Sequence, residues 1–141
     1  MAGCQPELNF LPYTILHDPE YDAVALIHTG QVSAAEIRAS RIDLAESVLQ
    51  NRCRGAMINI LDAHIEAEPP EIVDHVHALI AGLTDGTRLA FVSREIDQIG
   101  VALVVESVAD MSPVGVRRFG EVETAWGWLA YGDTVLPARE G

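Results

Sequence analysis

The feature that most constrains the fold is a change of residue pattern around Ser33. Before it, the run AVALIHT (23–29) has the short, apolar composition of a β-strand. Ser33 and Glu36 then match a capping box, in which the Ser33 hydroxyl accepts a hydrogen bond from the Glu36 amide and the Glu36 carboxylate accepts one from the Ser33 amide. A helix is therefore predicted to begin directly after Ser33, so that a strand is followed at once by a helix.

The alternation of strand and helix continues along the chain. A strand-like run at 13–17 precedes the one at 23–29, and the Asp-Pro pair between them predicts an antiparallel hairpin. Further strands are predicted at 55–61, 88–93 and 115–119, and further helices from Pro70, over 95–110 and over 121–130. This order predicts an α/β fold, with a mixed sheet of about five strands and right-handed crossovers after the hairpin.

The first helix is amphipathic but contains one charged residue on its apolar side. Its apolar residues fall on one broad arc, at positions 37, 42, 44, 45, 48 and 49, while Ser40 falls on the polar arc. Arg41 lies within the apolar arc. Either its stem follows the edge of the core and the guanidinium reaches water, or it pairs with Asp22 or Asp62 or faces an anionic ligand in a crevice.

Charge and length exclude several classes of function. The 141 residues fit one domain, predicted as 1–130, with 131–141 as a loose tail or arm. The chain has nine basic residues, all of them arginine, and 21 acidic residues, which gives a net charge of −12. Binding to nucleic acid or to an anionic membrane requires the opposite balance, so neither partner is predicted.

The amino-terminal residues and the cysteines indicate a cytoplasmic protein. The opening MAGCQPELNF has neither a basic region nor a continuous apolar run, so no secretory signal or membrane helix is predicted. Cys4 and Cys53 lie far apart without a C-x-x-C pair, which is typical of ordinary thiols rather than of a disulfide framework or a zinc site.

The acidic stretch 58–77 is the best sequence candidate for a metal site. In an extended segment, side chains at positions 62, 64, 66 and 68 would lie on one side and offer Asp62, His64 and two glutamates as donors. The alternative is a solvated acidic turn that leads into a helix. His75 and His77 project about 200° apart on a helix and cannot share one ion. We therefore predict no metal and no cofactor.

The two tryptophans of the last helix project in different directions. Val122, Ala125, Trp126 and Leu129 repeat at helical spacing, which predicts that Trp126 belongs to the core. Trp128 lies about 200° away from it. Trp128 is covered either by the chain itself, which we favour, or by a second copy of the chain in a homodimer.

Motifs of enzyme active sites are absent from the sequence. There is no G-x-S-x-G elbow, P-loop or dinucleotide fingerprint. His28 and Ser33 could form a nucleophile pair, but Ser33 is already engaged in the capping box. The chain is therefore predicted not to be an enzyme.

The hairpin, the S-x-x-E helix start and a strand that ends in Leu-Asp occur together with a terminal RRF…EVETAWGWL. In this combination, with Phe119, Glu121, Glu123, Ala125, Trp128 and Leu129 in the last motif, residues 10–130 resemble the SpoIIAA-like branch of the STAS superfamily. The resemblance implies helices mainly on one face of the sheet. It also implies a non-enzymatic role, either in partner switching controlled by phosphorylation or in binding apolar ligands, as in the related STAS/SEC14 group.

The sequence departs from the switching members of that family at the phosphorylated position. In them, an acidic residue at the end of the central strand is followed by a serine at the start of the next helix. Asp62 matches the acidic residue, but no Ser or Thr occurs from 62 to 83. We therefore expect no kinase-regulated switch at this site.

The leading functional hypothesis is a regulatory protein-interaction domain, with an unidentified protein partner. The alternative is a carrier or sensor of a small apolar ligand, because residues 96–105 are unusually apolar for a surface helix. The residues predicted to contact a partner or ligand are Asp62, His64, Arg41 and Trp128.

Overall fold

The computed structural model describes residues 13–94 and 114–132. In chain order these residues form β1 (Tyr13–Asp18), β2 (Ala23–Ser33), α1 (Ala34–Asn51), β3 (Gly55–Glu66), α2 (Pro69–Ala81), β4 (Arg88–Val92), β5 (Gly115–Phe119) and α3 (Val122–Tyr131). The helix predicted over 95–110 lies outside the described residues, as does most of the predicted tail. No described helix is long and apolar enough to cross a membrane.

The five strands form one mixed sheet in the order β1-β2-β3-β4-β5. β1 and β2 are antiparallel, and every later neighbour is parallel. The α/β class, the strand number and the entry hairpin predicted from the sequence are confirmed. Each parallel connection needs a crossover, which α1 and α2 supply between β2, β3 and β4.

Buried side chains cover both faces of the sheet. α1 and α2 pack on one face, where Leu44 and Leu79 belong to the same cluster as Leu26 of β2. α3 packs on the other face, where Ala125 and Leu129 contact a smaller cluster of strand residues. Two of the three described helices therefore lie on one face, but the opposite face is also part of the core.

The buried side of α1 differs from the predicted apolar arc. Leu44 and Val48 are buried as predicted, whereas Ile42 and Leu49 are 41% and 52% exposed. Ser40, predicted to be on the polar side, is almost completely buried at 1%. The hydroxyl of Ser40 donates to the carbonyl of Ile37 at 3.1 Å, which satisfies its hydrogen and removes the main cost of burying it.

β2 and β3 are longer than the sequence predicted. β2 runs to Ser33 and β3 to Glu66, and they pair as far as Ser33 opposite Glu66. Between Ile27 and Thr29 the register shifts, so that His28 of β2 faces two residues of β3. This is a β-bulge, which moves the following side chains of β3 to the other face.

β1, at one edge of the sheet, is tied to α1 by a side-chain hydrogen bond. The Tyr13 hydroxyl donates to the Asp43 carboxylate. Because the bond holds the phenolic hydrogen and the carboxylate charge opposes a second negative charge, the pKa of Tyr13 is raised to about 12. The same tyrosine ring lies 5.6 Å from the ring of His28.

Two leucines of α1 provide a matched test of this packing. Leu44 is fully buried and Leu49 is half exposed. We expect Leu44→Ala to lower the free energy of unfolding by about 2 to 5 kcal/mol, because it removes buried methyl groups and leaves a cavity. Leu49→Ala should change it by less than about 0.5 kcal/mol. Urea denaturation of both variants measures the difference, and equal losses would contradict the described orientation of α1.

Candidate functional site

A cavity lies between the sheet and the helices α1 and α2. Its volume is about 70 Å³, which exceeds the roughly 10–15 Å³ that one water molecule requires. Among the described residues, the apolar part of its lining consists of Leu26, Ile37, Ile58, Ile60, Ile65, Ile72, Val76, Leu79 and Phe91. Its polar part consists of His28, Ser40, Arg41 and His75. Apolar walls with a few polar groups are typical of small-molecule sites.

His28 and Ser40 form a buried polar pair in this lining. His28 is 3% exposed, and its Nε2 lies 2.8 Å from the Ser40 Oγ. Because the Ser40 hydrogen is directed to the carbonyl of Ile37, Nε2 must be the donor to Oγ. The ring therefore carries its hydrogen on Nε2, and Nδ1 is a bare acceptor. Nδ1 is buried and has no hydrogen-bond partner among the described residues.

Arg41 and His75 form the second polar pair, which joins α1 to α2. The Arg41 Nε donates to His75 Nδ1 at 3.1 Å. Since Nδ1 accepts, a neutral His75 carries its hydrogen on Nε2. Neither Asp22 nor Asp62, the two carboxylates considered as partners of Arg41, pairs with it. Asp22 lies 3.9 Å from Arg54 instead, and Asp62 is on the opposite side of β3.

Burial and charge keep both imidazoles neutral. Burial lowers the pKa of His28, and the nearby Glu36 carboxylate offsets this only in part. Burial also lowers the pKa of His75, and the positive charge of Arg41 lowers it further. The two histidines therefore act as hydrogen-bonding groups, one offering an acceptor and the other a donor.

Asp62 and His64 do not line the cavity. After the bulge, Ala63 and Ile65 of β3 pack with the cluster under α1 and α2. Asp62, His64 and Glu66 alternate with them, so they lie together on the opposite face, as the period-two pattern predicted, and all three are exposed. Within residues 13–94 and 114–132, no group of three or more His, Cys, Asp or Glu side chains could hold a metal ion.

Trp128 lies at a third place, on the face of the sheet that α3 covers. Its ring contacts Phe119 with centroids 5.6 Å apart, and the Arg117 guanidinium lies 5.2 Å from its centroid. The chain itself therefore covers part of Trp128, as favoured from the sequence. Trp126 is only half buried and stacks on Tyr21 at 4.9 Å. Trp126 therefore packs against the smaller core cluster as predicted, but at its margin, because Ala125 and Leu129 are the residues of α3 that are fully buried there.

The four predicted site residues therefore do not form one site. Arg41 alone belongs to the cavity. Sequence reasoning missed Ser40 and His28 as cavity residues, and it considered His75 only as a metal ligand. The helical spacing of α1 could have revealed Ser40. The side that packs on the sheet repeats at helical intervals and includes two polar residues, Ser40 and Arg41, with Ile37, Leu44 and Val48.

Comparison with known proteins agrees with this geometry. The structure is similar to an uncharacterized DUF3478 protein with a SpoIIAA-like fold from Shewanella loihica PV-4, with a TM-score of 0.56 and 16% identity over 83% of this chain and 91% of that chain. It is also similar to the anti-sigma factor antagonist SpoIIAA in its unphosphorylated form, with a TM-score of 0.53 and 11% identity over 90% and 97%. No protein-family model and no curated protein matches the sequence. The chain thus has the SpoIIAA-like fold predicted from its sequence.

The buried neutral His28 predicts a pH dependence of stability. An unfolded histidine has a pKa of about 6.5, and that of folded His28 is lower. Below about pH 6.5 the unfolded chain binds a proton that the folded chain does not, so the free energy of unfolding should fall as the pH falls. His28→Gln should reduce this slope between pH 7 and 5. His17→Gln, at an exposed position, is the control in urea denaturation, and equal slopes in the two variants would refute the assignment.

Proposed function

We propose that this protein is a non-enzymatic regulatory domain that acts by binding a partner protein. The observation that carries the proposal is the fold shared with the anti-sigma factor antagonist SpoIIAA over 90% of this chain. That protein antagonises an anti-sigma factor, which is itself a protein. The proposal includes a cytoplasmic location, which stays a prediction from the sequence.

The proposed partner binding does not depend on phosphorylation at the start of α2. The segment from 62 to 83 contains no Ser or Thr. The first turn of α2 already carries the carboxylates of Glu68 and Glu71, and Glu71 accepts a hydrogen bond from the Glu68 amide at 3.3 Å. A phosphate placed there would be repelled by two negative charges and would lose one of the amide donors that usually bind it.

The outer side of α1 supplies a surface suited to such a partner. Ile42 and Leu49 are both exposed. They are seven residues apart, and therefore lie on the same side of the helix, two turns from each other. Apolar side chains repeated along one exposed side of a helix are typical of protein contacts.

This surface gives the proposal a direct test. The partner is captured from an extract of the source organism, identified by mass spectrometry and produced separately, and its affinity is measured by calorimetry. We expect Ile42→Asp with Leu49→Asp to weaken binding about tenfold or more, because charges replace the apolar contact. Ala78→Asp with Ala81→Asp, at exposed positions of α2, should leave the affinity unchanged. Equal effects of the two pairs would contradict this contact surface.

A small apolar ligand is the second candidate, and the cavity under α1 and α2 favours it. Nine of the described lining residues are apolar, and they come from both the sheet and the helices. A ligand there would contact both the sheet and the helices α1 and α2, so its binding would change how the helices pack on the sheet. The two candidates are compatible, since a ligand beneath α1 could alter the side of that helix that a partner contacts.

Native mass spectrometry tests the second candidate. Protein purified from its source organism should show an added mass that is lost on denaturation. Ile58→Phe should abolish the added mass, because the larger ring occupies the cavity. Ile42→Phe, at an exposed position outside the lining, is the control and should retain it. A ligand in this cavity would be contradicted if the wild type showed no added mass. It would also be contradicted if Ile58→Phe retained the added mass.

A further inference from the structure

We infer that the cavity binds a short aliphatic carboxylate, whose head group is held by Arg41 and His75 and whose tail lies against the isoleucines of β3 and α2. This inference rests on the second proposed function and adds the chemical class of the ligand. It follows from the chemistry of the polar groups in the lining and from where each of them lies.

The Arg41 guanidinium is a donor that pairs with no described carboxylate. Arg41 is half buried, and no described carboxylate lies within ion-pair distance of it, although the chain contains 21 acidic residues. Its Nε is used by His75, which leaves the two terminal nitrogens of the guanidinium. His75, which accepts at Nδ1, offers a hydrogen on Nε2. A planar anion with two oxygens matches this set of donors.

The opposite part of the lining fixes the orientation of the ligand. The sheet contributes the apolar Leu26, Ile58, Ile60 and Phe91, together with His28, which is neutral and presents a bare acceptor. Carboxylate oxygens are repelled by an acceptor lone pair and gain nothing from apolar walls. The head group therefore binds at the helices α1 and α2, where Arg41 and His75 are partly exposed to solvent, and the tail points towards the sheet.

The volume of the cavity limits the length of the tail. An engineered cavity of about 150 Å³ accommodates benzene, and the cavity here has about half that volume, 70 Å³. About three carbons therefore fit inside the cavity, so the class expected is a carboxylate of about four to six carbons whose head group and first carbons lie at the open side, between Arg41 and His75. Long-chain lipids do not fit the cavity in this form.

The charges around His75 provide an independent readout of the head group. Arg41 and Arg38 of α1 disfavour its protonation, whereas Glu71 and Asp74 of α2 favour it, and the sheet residues of the lining are uncharged. A carboxylate bound between Arg41 and His75 would offset the positive charge of Arg41. The pKa of His75 should therefore rise when the ligand binds.

The test compares hexanoate with 1-hexanol, which have the same tail length and differ in the head group. Each is titrated into the wild type, Arg41→Met and Arg38→Met, followed by calorimetry and by the imidazole signals of His75 in NMR spectra. Arg38→Met is the control because it makes the same charge change at an exposed position of α1 outside the lining.

We expect wild type to bind hexanoate about tenfold or more tightly than Arg41→Met does, because charge-assisted hydrogen bonds are lost. Arg38→Met should bind hexanoate within about twofold of wild type. Hexanol should bind wild type and Arg41→Met equally, which also shows that the variant is folded. In wild type, hexanoate but not hexanol should raise the pKa of His75.

Two results would overturn the inference and are distinguishable from each other. If hexanol binds at least as well as hexanoate, or if Arg41→Met does not weaken hexanoate, the carboxylate class is wrong while an apolar ligand stands. If neither compound shifts the signals of the cavity residues in wild type, the inference fails, and the native mass spectrum of the wild type decides separately whether the second proposed function stands.

Discussion

The arrangement of the whole α1 face depends on the capping box at the start of that helix. The Glu36 carboxylate accepts a hydrogen bond from the Ser33 amide at 2.7 Å, and the Ser33 hydroxyl accepts one from the Glu36 amide at 3.2 Å. Because Ser33 is also the last residue of β2, these bonds fix where the helix leaves the sheet. Ser40 then lies two turns later, where it meets His28 of the same strand.

The described polar groups of this apolar layer bond mainly to one another. Ser40 accepts from His28 and donates to Ile37, and Arg41 donates to His75. Such a pair between α1 and α2 contributes little net stability. Its effect is instead on chemistry, since it keeps a guanidinium and two neutral imidazoles beside a cavity whose remaining described walls are hydrocarbon.

The element order could be predicted from the sequence because it depends on local patterns. The capping box, the Asp-Pro turn and the stripe of α2, with Val76, Leu79 and Ile80 buried as expected, are all properties of neighbouring residues. The strand ends were missed because only Val32, Ala63 and Ile65 are apolar in Thr29 to Ser33 and Asp62 to Glu66, and these half-polar stretches extend β2 and β3 by pairing with each other. The anomaly of Arg41 was visible in the sequence, but its partner, His75, comes from another helix and is defined only by tertiary packing.

The bulge opposite His28 has a consequence for how this surface could change during evolution. Ile60 lies under α1 and α2, and after the bulge Ala63 and Ile65 share its face. With regular alternation, Asp62 and His64 would take those inward positions instead. The extra residue of the bulge keeps Ala63 and Ile65 inward, so the loss of a single codon there would leave a regular strand with the same two residues facing inward. A one-residue deletion at this point would therefore shorten β3 without changing which side chains line the cavity, whereas a one-residue deletion between Gly55 and Ile60 would turn part of the strand over.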